Sequence, residues 1–133
     1  MAIGLTLVLA IVGLAGCQSS ATSVPSTGEQ EMEISLAPIH EVQVNIAESY
    51  PPQVIVYIKG GLSDSCTELH AVSVAPRAGN TINIEVTTER PKDKACAQVY
   101  SYFEENVSLG SDFTSGETYT INVNDETTTF VMQ

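Results

Sequence analysis

The chain has 133 residues and a formal net charge of −11, with five Lys and Arg against sixteen Asp and Glu. That balance argues against nucleic acid and anionic lipid as electrostatic partners, because phosphate binding requires clustered Lys and Arg. An acidic surface is otherwise the ordinary surface of a soluble domain and assigns no function by itself.

In chain order, the first feature is an apolar run from Ala2 to Ala15 without a charged side chain. It is too short for a transmembrane helix, which needs about 20 apolar residues, and has the length of a signal-peptide core. It closes on Leu14-Ala15-Gly16-Cys17, which resembles the lipobox of bacterial lipoproteins. The resemblance implies cleavage between Gly16 and Cys17 and lipid on the Cys17 sulfur. It also implies residence in the cell envelope, with the domain outside the cytoplasm and a membrane as the partner through that lipid. Residues 1–16 are then signal peptide, and their removal leaves the charge of −11 unchanged because they contain no charged side chain. Residues 17–36, rich in Ser, Thr, Gly and Glu, are expected to form a flexible tether, in which about 18 residues reach roughly 25 Å.

The remainder, 37–133, is expected to be one domain of ordinary size. Val42, Val44 and Ile46 alternate with polar residues, the pattern of a strand with one buried face. Tyr50-Pro51-Pro52 stops it. Val54 to Ile58 is apolar at every position and belongs at the centre of a sheet, with Gly60-Gly61 expected to end it. From Cys66 to Ala75 the alternation changes phase, which predicts a β-bulge near His70 to Val72. Ala78-Gly79-Asn80 turns the chain into Thr81 to Thr88, the cleanest strand pattern in the sequence. Glu89 to Lys94 reads as a polar crossing, and Val99 to Phe103 fits strand or short helix. Val107 and Leu109, then Tyr119 to Val123 and Thr128 to Met132, complete the strands, the last two joined by a hairpin at Asn124-Asp125.

Short strands without an amphipathic helix predict an all-β fold, an antiparallel immunoglobulin-like β-sandwich of about seven strands. The block from Pro52 to Val131, with Gly61-x-x-x-x-Cys66, Arg90-Pro91, Cys96 and Tyr119-x-x-x-Val123-Asn124, is similar to small β domains of bacterial envelope proteins. That resemblance implies location and fold only.

With Cys17 assigned to lipid, Cys66 and Cys96 remain, and an even remainder in an exported chain reads as a disulfide. Closing a loop of about 30 residues contributes roughly 3–4 kcal/mol in the chain-entropy model. The alternative is a zinc or copper site built from Cys66, His70 and Cys96. No nucleophile–base pair, phosphate loop or metalloprotease motif occurs, and Glu104-Glu105 point to opposite faces of any strand. The sequence therefore predicts a non-catalytic binding or structural module without a cofactor. Its candidate contact is the basic loop bearing Arg90, Lys92 and Lys94, with an envelope or extracellular protein as the partner. A loop braced by Cys96 also suits an inhibitor of an extracellular hydrolase.

Overall fold

The computed structural model describes residues 28–133. The expected signal peptide, the expected cleavage and lipidation positions at Gly16 and Cys17, and the start of the expected tether lie outside the described residues.

Among the described residues eight strands form two packed sheets. They are β1 (Met32–Leu36), β2 (Ile39–Ala47), β3 (Gln53–Leu62), β4 (Glu68–Val74), β5 (Thr81–Pro91), β6 (Ser101–Gly110), β7 (Thr118–Val123) and β8 (Glu126–Val131). The expected all-β sandwich is what the chain adopts. One sheet is β2-β3-β6, with the apolar run of β3 in the middle as its two-faced pattern requires. The other is built on β5. Thr87 to Glu89 pair with β4 and with β1 simultaneously, and Ile84 pairs with both β4 and β7. It follows that β1 and β7 lie end to end along one edge of β5, with β4 on the other edge and β8 beyond β7.

The ladders are antiparallel with one exception: β5 and β7 run parallel. Parallel neighbours need a long crossover, and here the chain makes it by passing through β6 in the opposite sheet. The core comes from alternate residues of three strands: Val54, Val56 and Ile58 of β3, Ile82, Ile84 and Val86 of β5, and Tyr119, Ile121 and Val123 of β7. Ala37, Phe103 and Met132 complete it.

The structure corrects three expectations and settles a fourth that the sequence leaves open. Residues 32–36, assigned to the tether, form β1, which bonds to β5 through its backbone while all five of its residues stay exposed. Gly60 and Gly61 do not end β3 but lie within it, because the strand's neighbours need the space a side chain would take. A Cβ at Gly60 would fall 2.1 Å from the Phe103 ring. Glu89 to Pro91 belong to β5 rather than to a crossing. Val99 and Tyr100 precede β6, whereas Tyr102 and Phe103 lie in it. The predicted phase slip is present as a register shift between Leu69 and Ala71, with His70 as the extra residue.

Candidate functional site

The most constrained surface feature lies where two connections between the sheets meet. Residues 63–67 cross from β3 to β4, and residues 92–100 return from β5 to β6. A Cys66–Cys96 disulfide joins them, with Cα atoms 5.8 Å apart.

Asp64 organises this corner. Its side chain is buried, with 6% of the residue's surface exposed. One carboxylate oxygen accepts hydrogen bonds from the Cys66 amide (3.0 Å) and the Thr67 hydroxyl (2.8 Å). The other accepts from Nε of Arg90 at 2.6 Å. The Arg90 hydrogen bond is the main cause, with the Thr67 and Cys66 bonds adding to it, that lowers the Asp64 carboxyl to about 2 against the opposing effect of burial. Arg90 also donates from its two terminal nitrogens to the Pro91 and Lys94 carbonyls, at 3.2 and 3.3 Å.

The returning segment is thus held at several points. Lys94 is fixed through its carbonyl, Cys96 by the disulfide, and Ala97 by paired 3.0 Å bonds with the Ser65 amide and hydroxyl. The Val99 amide donates to the Ala97 carbonyl at 2.8 Å. At the far end, the Tyr100 hydroxyl lies 2.5 Å from Nε2 of His40. His40, Tyr100 and Tyr102 form an edge-to-face trio with centroids 5.4–5.9 Å apart, and the Lys59 ammonium sits 4.8 Å from the Tyr102 ring centre. Gly61 makes room for the trio: a Cβ there would come within 1.7 Å of the Tyr100 hydroxyl. Between these anchors Ala95, Ala97, Gln98 and Val99 face solvent, Val99 at 60% exposure. Such an arrangement offers a pre-ordered, partly aromatic surface, the composition in which binding energy concentrates.

The predicted site residues are distributed as follows. Cys66 and Cys96 are bonded to each other. His70 sits on the β4 bulge, with Nδ1 3.0 Å from a Glu89 oxygen. Among the described residues the potential ligand atoms that converge here are those of Asp64, Cys66 and Cys96; His70 does not join them. Both sulfurs are committed to the disulfide and the carboxylate to Arg90, so the donor set of the metal alternative is not assembled. The basic trio is divided as well. Arg90 is internal to the corner, Lys92 is paired with Glu31, and Lys94 is exposed on the loop. No alternation or spacing in the sequence marks the His40–Tyr100–Tyr102 trio. Its signal was the Gly60-Gly61 pair inside an apolar strand, which marks a close approach as readily as an end.

An open groove of about 430 Å³ lies elsewhere, on the outer face of the five-stranded sheet between Leu36, Val74 and Asp125. Much of its polar lining is already satisfied, since Asn122 donates to Asn83 at 2.8 Å and accepts from Thr127 at 2.9 Å.

Residues 56–132 match the family described as the ORF11 beta-sandwich domain, which covers more than half of the chain. The chain belongs to this family. It is 47% identical over 87 residues to an uncharacterized 10.2 kDa protein in the HgiCIIM 5' region of Herpetosiphon aurantiacus, spanning 65% of this chain and 90% of that protein. It is 49% identical over 77 residues to a second such protein, in the HgiBIM 5' region of the same organism, spanning 58% and 92%. No solved structure matches.

Proposed function

We propose that this chain is a lipid-anchored, non-catalytic binding module of the bacterial cell envelope that meets a protein partner through the braced segment from Lys94 to Tyr100. The observation that carries the contact is the fixing of that segment by Arg90, the disulfide, Ser65 and His40 while Gln98 and Val99 stay exposed. Ordering a loop before binding removes an entropic cost of association. The lipobox Leu14-Ala15-Gly16-Cys17 supports the anchor, and the sequence supports a module without a cofactor.

Two measurements test this. Cys17→Ser is expected to leave the membrane fraction or to stall in processing; a variant processed and retained like the parent removes lipid as the anchor. Changing Gln98 and Val99 to Ser leaves every anchor of the segment in place. It is expected to lose partners that the parent captures from envelope proteins, and an unchanged set removes this segment as the contact.

The same bracing favours a second reading, inhibition of an extracellular hydrolase, since a fixed exposed segment can occupy a cleft without being released. That reading expects block of a hydrolase at stoichiometric concentration, lost in the same double variant. Turnover of a small substrate by the parent chain overturns both readings.

A further inference from the structure

The strand β1 is turned the wrong way for a sandwich. Met32, Ile34 and Leu36 share one face, and they stand opposite Pro91, Glu89 and Thr87 of β5. Those β5 positions alternate with the buried Val86 and Thr88, so the three apolar side chains point away from the second sheet. They are 41%, 54% and 55% exposed. The polar residues Glu33 and Ser35 occupy the inner side, opposite Arg90 and Thr88.

Its backbone is open as well. The Lys92 amide donates to the Glu31 carbonyl and the Ala37 amide to the Val86 carbonyl, both at 2.9 Å. Odd-numbered residues therefore bond to β5, and in a regular strand the even-numbered ones present their N–H and C=O groups to the free edge. Among the described residues no strand pairs with that edge. The edge is also regular. The β1–β5 ladder has no register shift, whereas the ladders that hold β2, β4 and β6 each contain one, and such bulges blunt an edge against pairing. The β7–β8 ladder is regular too, but of these two edges β1 alone carries a row of three exposed apolar side chains.

We propose that β1 is the surface through which two copies of this chain pair, antiparallel, with the two-fold axis at Ile34. The register follows from the residues. With Ile34 on the axis, Ile34 bonds to its own copy and Met32 to the partner's Leu36, so every free N–H and C=O of the three even-numbered residues is used. Glu33 falls opposite the partner's Ser35 and Glu31 opposite the partner's Ala37, so no two carboxylates oppose each other. An axis at Glu33 sets like charges face to face, which is destabilising. An axis at Ser35 or Leu36 brings Pro38, which has no N–H to donate, into the ladder. In the Ile34 register the two apolar rows adjoin as cross-strand pairs, and the two five-stranded sheets become one continuous sheet. The pairing does not depend on the lipid anchor or on the Lys94–Tyr100 segment.

Cysteine cross-linking of the full exported chain tests both the pairing and its register. Directly opposed residues bring their Cα atoms within the range a disulfide needs. Ile34→Cys is expected to run at twice the monomer mass on a non-reducing gel after mild oxidation, and to return to monomer on reduction. Glu33→Cys and Ser35→Cys are each expected to cross-link poorly alone and efficiently when mixed. Thr129→Cys, exposed on β8, and the parent chain are the controls and are expected to run at the monomer mass on the same gel, because neither places a free thiol in the β1 seam. All these positions are exposed, and an unchanged thermal midpoint confirms that each variant folds. A monomeric Ile34→Cys chain overturns the proposal. So does equal cross-linking at Ile34→Cys and Thr129→Cys, which is the signature of collision rather than pairing.

Discussion

At the scale of single residues, Asp64 shows how one carboxylate sets the pH range of a whole corner. Its folded value of about 2 lies below the ordinary 3.8, so its ionised form is favoured in the folded state. The stabilisation this brings is complete above the unfolded value near 4 and is lost as pH falls toward 2. Thermal midpoints measured between pH 5 and pH 2 are expected to fall across that window in the parent and to fall less steeply in Asp64→Asn. The same pair explains why Arg90 is a poor contact residue. The sequence places it beside Lys92 and Lys94 as if the three formed one basic surface, but a guanidinium with several donors in a planar fork is suited to close a polar corner. Nothing in the spacing of Asp64 and Arg90, 26 residues apart, announces that pairing.

At the scale of elements, the joint on β5 between β1 and β7 depends on Asn124. Where one neighbour ends and the next begins, Val86 has no strand beside it on that edge. The Asn124 amide takes the place of one, accepting from the Val86 amide at 2.9 Å and donating to the Val86 and Ala37 carbonyls at 2.9 and 2.8 Å. It does so from a backbone φ of 49°, a left-handed conformation that Asn tolerates better than most residues. Asn124→Gly keeps the conformation and removes the amide, so it isolates these bonds. We expect it to cost about 1–3 kcal/mol in urea denaturation, the range for leaving buried backbone groups without partners. The turn itself was legible, because Asn-Asp between two alternating runs is a hairpin signal. So were β2 and β5, whose apolar residues repeat with the period of a half-buried strand, the middle of β3, which is apolar throughout, and the bulge at His70, where the alternation changes phase. What periodicity does not reach is β1, which buries no side chain, and the trio of His40, Tyr100 and Tyr102, which is assembled from three segments by the absence of side chains at position 61.

At the scale of the molecule, the Cys66–Cys96 bond ties together two passages between the sheets. One leads from the three-stranded sheet to the five-stranded sheet and the other leads back. Closing a loop with a sequence separation of 30 contributes about 3–4 kcal/mol by restricting the unfolded chain. Cys66→Ser with Cys96→Ser is therefore expected to lower the urea midpoint substantially, and the parent in reductant should follow it. The position of the ladder between β1 and β5 has a mechanical meaning. In the proposed arrangement, the membrane pulls on the chain entering β1 and a partner pulls on the segment leaving β5, and these two points face each other across the rung from Glu31 to Lys92. Tension between them loads the rungs one after another, as in opening a zip, rather than all together in shear. Peeling β1 would release about 17 Å of slack, from five residues at about 3.4 Å each. It would stop at Ala37, which is buried and held by Val86 and Asn124, so in a chain whose β1 is not paired with a second copy the first strand can serve as a spring in series with the tether while the two sheets stay closed.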